Sequence, residues 1–261
     1  MKRSLPFACV LALAIAACGK PPAVSPRDPP KPEPVAKALP SAPVGAVAEK
    51  IEPKAAESKT ASSTGPEPTF HHDGFTYYGL DYKDPIDYEL VDSRTKTRQT
   101  GSQAITLKQA RADGATYEIH RTGGLAGLGD QTVEVTATGV RTISSSLGPL
   151  TGDSLELPAQ LPSGAHWRSK NTLTTQDGRK LENDNTFKVV GTEKLKTKAG
   201  TYQALLITST GTATIDGAKK VMKSKSWFVK GRGNVKLIIS LTGGDGKEQT
   251  LTIEEAAPAK G

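Results

Sequence analysis

Apolar and polar residues alternate along much of the second half of the chain, a pattern typical of β-strands with one buried face. The clearest runs lie around Tyr117 and Ile119, Val133 and Val135, Val235 to Leu241, and Leu251 and Ile253. Thr, Ser, Lys and Glu fill most of the alternate positions. We expect these apolar phases to meet on the concave side of one sheet, with the polar phases outside.

Turn residues separate the alternating runs. Asp-Gly dipeptides suit the positive φ angles of two-residue hairpin turns, and they predict hairpins at about 113–114, 177–178, 216–217 and 243–246. No segment longer than ten residues shows a helical period with caps. The pattern therefore predicts an all-β fold, an antiparallel meander of about nine to eleven strands that forms a barrel or half-barrel.

Trp227 and Phe228 interrupt the alternation because adjacent residues of a strand point to opposite faces. Either both faces of the sheet are covered at this point, or one aromatic side chain fills the interior and the other lies under a loop. We predict that Trp227 is a core residue. Gly231 and Gly233 are predicted to shape a bend into the next strand.

The N-terminus has the pattern of an export signal. Two basic residues precede a thirteen-residue apolar stretch, Leu5 to Ala17, which is too short to span a bilayer. The stretch ends in Ile15-Ala16-Ala17-Cys18, which resembles the bacterial lipobox. An ordinary cleavage site at Ala14-Ile15-Ala16 and an uncleaved anchor are the alternatives.

The lipobox resemblance implies that residues 1–17 are a lipoprotein signal peptide. It also implies diacylglycerol transfer to the Cys18 sulfur, cleavage before Cys18 and acylation, for example by palmitate, of the new amino group. Gly19 follows in place of the Asp that retains such proteins in the inner membrane. The expected location is therefore the outer membrane, facing the periplasm.

Residues 18–69 differ in composition from the rest of the chain. The segment 19–69 holds twelve of the eighteen prolines and no aromatic residue. So little apolar surface cannot offset the entropy of ordering, so we predict a disordered spacer between the lipid anchor and a folded domain. The domain is predicted to span 70–256, with a flexible tail at 257–261.

A second resemblance lies within the domain. Four segments follow in an order similar to that of a family of exported bacterial β-rich domains of unknown function: 161–167, 189–193, 197–204 and 227–236. The resemblance implies a barrel-like fold and a periplasmic location, and it carries over no catalytic residue. The structural residues of these motifs are Trp167, Gly200, Trp227, Gly231 and Gly233.

Candidate chemistry is sparse. Both cysteines, Cys9 and Cys18, lie in the first eighteen residues, which excludes a cysteine nucleophile or thiolate metal site in the domain. His71 and His72 point apart on an extended chain, and no nucleophile pairs with His120 or His166. The glycine-rich segment 123–129 is interpreted as a flexible loop. We therefore expect no enzyme, no cofactor and no metal site.

Charge is the remaining signal. Residues 188–236 carry ten Lys and one Arg against two acids. Lys194, Lys196 and Lys198 alternate and are expected to share one strand face, which could meet anionic headgroups, the cell wall or an acidic envelope protein. The alternative is that these lysines keep the β surface soluble. Nucleic acid is not expected as a partner of an exported protein.

Two hypotheses follow for function. The first is a membrane-anchored periplasmic domain that acts in the cell envelope by non-catalytic binding or as a structural part, its interior filled or covered by a partner. The alternative is a carrier of a lipid or other apolar ligand inside the curved sheet. A carrier needs a cavity of roughly 300–1,000 Å³.

Overall fold

The computed structural model describes residues 70–257. The predicted signal peptide, the lipid anchor at Cys18, the linker and the last four residues lie outside this range. One short helix, α1 (Asp73–Tyr78), precedes thirteen strands within the described range, and a 3₁₀ helix (Gly123–Leu128) interrupts them. The strands are β1 (Ile86–Asp92), β2 (Arg98–Arg111), β3 (Gly114–Arg121), β4 (Gln131–Thr136), β5 (Gly139–Ser145), β6 (Leu150–Asp153), β7 (Leu155–Pro158), β8 (His166–Thr174), β9 (Lys180–Lys196), β10 (Thr201–Ile215), β11 (Ala218–Val229), β12 (Gly233–Thr242) and β13 (Glu248–Glu255).

All thirteen strands form one antiparallel sheet that nearly closes into a barrel. The order is β6-β8-β9-β10-β11-β12-β13-β1-β2-β3-β4-β5-β7. The two edge strands, β6 and β7, are consecutive in the chain and are separated only by Ser154. The segment 150–158 therefore pairs first with β8 and then with β5, so one stretch of chain bridges both edges of the sheet.

The predicted strand number, nine to eleven, was too low. The sequence of 150–158 lacks clean alternation, and the pairing partner changes at Ser154, so two short strands were not recognised. Ser154 is buried, and its main-chain oxygen accepts a hydrogen bond from the Thr142 N–H. Across the same seam, Arg141 forms an ion pair with Asp153.

The four predicted hairpins are confirmed. Turns join β2 to β3, β8 to β9, β10 to β11 and β12 to β13 at the expected positions. At the β10–β11 turn, Asp216 and Gly217 have φ angles of 48° and 82°. Positive φ at both central residues is what a tight hairpin with native twist requires.

Short helices pack at the two ends of the barrel. Helix α1 lies against β5, β7 and β12, and its Thr76 carbonyl accepts from the Gly231 N–H at 2.8 Å. The 3₁₀ helix packs on β1 and β2 and buries Leu125 among interior residues. The prediction of a flexible loop at 123–129 is therefore wrong. Gly123 and Gly124 have no side chain, and this lets the segment pack closely against the β2 backbone near Gly101.

No helix among residues 70–257 is long and apolar enough to cross a membrane.

Candidate functional site

The barrel interior is only partly filled and retains a cavity of about 310 Å³. Side chains from eleven of the thirteen strands, from α1 and from the 3₁₀ helix line it. Apolar residues form most of the wall: Leu125, Leu128, Leu157, Trp167, Phe187, Ile207, Met222, Phe228, Leu237, Ile239 and Ile253. The volume lies at the lower end of the range for small-molecule sites. The interior is therefore not completely filled by its own side chains, and the alternative that a partner covers it stays a prediction.

Arg121 is the charged donor in the cavity wall. Its guanidinium donates to Gln103 Oε1 at 3.1 Å, to Gln131 Oε1 at 2.9 Å and to the Gly129 carbonyl at 2.8 Å. All three acceptors are neutral. Arg121 forms no ion pair with any residue of the range 70–257.

Asp130 is close to Arg121, but its carboxylate makes no hydrogen bond with the Arg121 guanidinium. Its carboxylate accepts from the Arg121 main-chain N–H at 2.9 Å and lies 2.8 Å from His120 Nδ1. His120 occupies the outward phase of β3, whereas Arg121 shares the inward phase of Tyr117 and Ile119. The acid is thus held at the outer side of the strand, and the guanidinium lies inside.

Glu156 is the acidic side chain in the cavity wall. The Thr142 hydroxyl donates to its Oε1 at 2.7 Å. Burial raises the pKa of the Glu156 carboxyl, and this outweighs the opposite effects of the Thr142 hydrogen bond and the Arg121 charge. The carboxyl therefore favours its neutral form more than an exposed glutamate does.

A β-bulge brings Glu156 inside. The register of β5 and β7 shifts between Val140 and Arg141, so that Val140 pairs with Leu157 and Arg141 with Leu155. Glu156 is the unpaired extra residue, and it lines the cavity together with its neighbour Leu157. Bulges redirect side chains in this way.

Neutral polar groups occupy the opposite part of the wall. Ser209 on β10 and Ser224 on β11 form a hydrogen bond of 2.7 Å between their hydroxyls, and Ser226 lies next to them along β11. The Tyr88 hydroxyl donates to the Asn234 carbonyl at 2.7 Å. Burial raises the pKa of the Tyr88 hydroxyl, so it remains a neutral donor.

Known proteins offer limited comparison. No protein-family model matches the chain, and no curated protein matches it in sequence. Three solved structures are similar. A Bacteroides fragilis protein described as exported, with a YmcC-like fold, has a TM-score of 0.48 at 12% identity, over 66% of this chain and 93% of its own.

The other two are described as lipoproteins. One from Parabacteroides distasonis has a TM-score of 0.46 at 12% identity, over 66% of this chain and 93% of its own. The hypothetical lipoprotein YmcC from Escherichia coli has a TM-score of 0.34 at 13% identity, over 71% of this chain and 91% of its own.

The motif residues named from sequence lie at separate places. Trp167 lines the cavity and stacks on Phe187 with ring centroids 5.2 Å apart. Trp227 is 7% exposed and packs in another cluster, with Ala204 and Leu206. Gly200 lies in the β9–β10 turn, where its N–H and carbonyl bond to Thr197.

Val235 departs from its predicted phase. It packs with Trp227 and not with the cavity residues, because the β11–β12 register shifts between Trp227 and Phe228. The shift places Asn234 opposite Phe228, and both line the cavity. A regular strand would have placed Val235 in phase with Leu237, as the alternation alone predicted.

The three lysines of the predicted face have different surroundings. Lys194 and Lys196 are exposed on β9. Lys198 lies in the turn, where its Nζ is 2.5 Å from Glu89 Oε1 and its N–H donates to Glu254 at 3.1 Å. The hydrogen bond from Lys198 lowers the pKa of the Glu89 carboxyl. The tip of the β9–β10 hairpin is thus joined to the outer faces of β1 and β13.

The histidines at the start of the domain have structural partners. His72 caps α1, since its Nδ1 accepts from the Phe75 N–H at 3.0 Å, and its Nε2 lies 2.9 Å from the Thr136 carbonyl. His71 packs edge-on against Phe75. Within 70–257, no group of three His, Cys, Asp or Glu side chains is placed to hold a metal ion.

The sequence analysis missed the polar residues of the cavity. Arg121 had a detectable signal, because it continues the apolar phase of Tyr117 and Ile119. Ser224 and Ser226 continue the phase of Met222 in the same way. Glu156 had no such signal, because its inward direction depends on a bulge.

Proposed function

We propose that residues 70–257 form a non-catalytic binding domain that holds one small, largely apolar molecule inside the barrel. The cavity of about 310 Å³ is the observation that carries this proposal. Its wall is mostly apolar, with a few polar groups at defined positions, which is the usual composition of a ligand site. Helix α1 and the 3₁₀ helix contribute Tyr78, Leu125 and Leu128 to this wall.

We further propose that the domain acts in the bacterial cell envelope as a lipid-anchored protein. The support is the sequence Ile15-Ala16-Ala17-Cys18 and the proline-rich spacer that follows. Acyl chains on Cys18 would retain the protein at a membrane. Because Gly19 stands where lipoproteins of the inner membrane have Asp, this would be the outer membrane. The spacer would let the domain meet its ligand, or an envelope partner, away from the membrane surface.

A variant pair tests occupancy of the cavity. The tests use the mature chain with Cys18→Ser. It carries no acyl chains, so it can be studied without detergent, and it retains the whole domain. Ser226→Leu places a larger side chain in the cavity, whereas Lys225→Leu adds a similar side chain on the outer face of the same strand. Nile red is the neutral probe.

We expect saturable Nile red binding to the parent chain and to Lys225→Leu, and loss of binding in Ser226→Leu. All three chains should unfold cooperatively. If the parent shows no saturable binding, or if Ser226→Leu binds as well as the parent, the cavity is not the binding site and the domain has a structural role. Native mass spectrometry of the chain purified from its host would show the natural ligand as a stoichiometric added mass.

A further inference from the structure

We infer that the ligand of this cavity is an anionic amphiphile, an apolar chain with one carboxylate or phosphate headgroup, and that Arg121 binds the headgroup. The inference rests on the proposed binding function. It goes beyond it by naming the chemical class of the ligand and the residue that selects it.

The first argument is the chemistry of the acceptors around Arg121. Arginine has five N–H donors and no acceptor, and three of these donors are used by Gln103, Gln131 and Gly129. Two N–H groups remain. One is on each terminal nitrogen, and a carboxylate or phosphate is the acceptor type that binds guanidinium N–H groups most strongly.

The second argument is the orientation of the two glutamines. Since Arg121 only donates, both glutamine oxygens must face it, so both NH₂ groups face elsewhere. Among the described residues, neither NH₂ group has a hydrogen-bond partner. Both glutamines line the cavity. The polar region around Arg121 thus offers donors to a ligand, while each of the three acceptors already receives one hydrogen bond from Arg121.

The third argument is charge. A cation in an apolar interior is costly unless an anion neutralises it. Arg121 has no ion-pair partner within residues 70–257, and Glu156, which lines the same cavity, favours its neutral form. The Asp130 carboxylate acts on Arg121 through its charge, but its own hydrogen bonds hold it on the other side of the strand, so an anionic headgroup would add negative charge on the cavity side. The apolar wall formed by Trp167, Phe228 and their neighbours would cover the chain of the ligand.

Laurate, lauryl phosphate and dodecanol have an apolar chain of the same length and differ in the headgroup. Comparing their affinities therefore isolates the effect of the headgroup. Their competition with Nile red is measured on the mature Cys18→Ser chain. We expect at least one of the two anions to bind about tenfold or more tightly than dodecanol, as charge-assisted hydrogen bonds in a partly buried site imply. Which anion binds better identifies the headgroup.

Variants assign this preference to a residue. Arg121→Gln should reduce the preference for the anion to less than about twofold while dodecanol binding is retained, and Arg121→Lys should keep part of it. Arg168→Gln is the matched control, because Arg168 pairs with Asp184 at 2.6 Å on the outer face of β8. It should leave all three affinities unchanged.

Each contrary result has a defined meaning. Equal binding of the anions and dodecanol to the parent chain would overturn this inference and leave the proposed binding function intact. An anion preference that persists in Arg121→Gln would overturn the assignment to Arg121. Failure of all three ligands and of Nile red to bind the parent would overturn the proposed function and the inference with it. The parent-chain comparison decides the anion preference even if Arg121→Gln does not fold.

Discussion

Trp227 and Phe228 are neighbours on β11, and their side chains lie on opposite faces of the sheet. Phe228 lines the interior cavity, whereas Trp227 packs outside it with Leu206 and Val235, and its indole N–H donates to Glu193 at 2.7 Å. Both faces of the sheet are therefore covered at this point. On the outer face, Leu195 and Tyr202 of the β9–β10 hairpin pack against the Trp227 cluster.

This arrangement predicts opposite effects for two truncations. Trp227→Ala should reduce the free energy of unfolding by about 3–5 kcal/mol, the usual cost for a buried tryptophan, with Nile red affinity nearly unchanged. Phe228→Ala should enlarge the cavity and change probe affinity by several-fold. Urea unfolding and probe titration of both variants provide the test. A change in probe affinity in Trp227→Ala alone would contradict the assignment of the two faces.

Glu156 predicts a specific pH dependence of stability. The unfolded carboxyl ionises near pH 4.5, whereas the buried carboxyl has a raised pKa and keeps its proton to higher pH. Between these two values the unfolded state binds fewer protons, so the contribution of Glu156 to stability falls as pH rises. Below the unfolded pKa the effect is absent.

Glu156→Gln removes this ionisation and keeps the shape of the side chain. We expect the variant to unfold at higher urea concentration than the parent at neutral pH, and the two to converge at about pH 4 and below. Glu118→Gln, on the outer phase of β3, is the control and should show no comparable pH-dependent gain. Parallel stability curves for Glu156→Gln and the parent across this pH range would contradict the prediction.

Gly231 and Gly233, on either side of Arg232, are predicted to differ in how much an alanine substitution reduces stability. Gly233 has φ 98°, and a Cβ at this position would lie 2.8 Å from the Tyr78 carbonyl oxygen of α1. Gly231 has φ 72°, and its Cβ would meet no atom within 4 Å. Gly231→Ala should therefore cost about 1–2 kcal/mol, from backbone strain alone.

Gly233→Ala should cost more, about 2–4 kcal/mol, because the clash with α1 adds to the strain. Thermal or urea unfolding of both variants gives the comparison. Equal destabilisation would mean that α1 moves away from the β11–β12 turn without cost.

The proposed lipid anchor at Cys18 makes a prediction that is independent of the fold. Cys18→Ala should release the protein from the membrane fraction, because no other candidate anchor was identified in the sequence. Fractionation with a high-salt wash, compared with a conservative Ser4→Ala control, measures retention. A Cys18→Ala protein that still sediments with membranes after the wash would refute the lipobox interpretation.

The sequence by itself was sufficient for the local features of the β domain. The Asp-Gly turns place four hairpins because a two-residue turn depends only on the backbone preferences of its own residues, as Asp216 and Gly217 illustrate. The alternation around Tyr117 and Val133 identifies inward faces because side-chain direction in a regular strand has a strict period of two.

The site depended on features that no local pattern encodes. Glu156 faces inward and Val235 faces outward because bulges shift the pairing register, and a bulge arises from the match between two strands. The closure of the sheet depends on the change of partner at Ser154, which joins residues far apart in the chain. The cavity volume is the difference between the size of the barrel and the side chains inside it, so only the tertiary structure decided it.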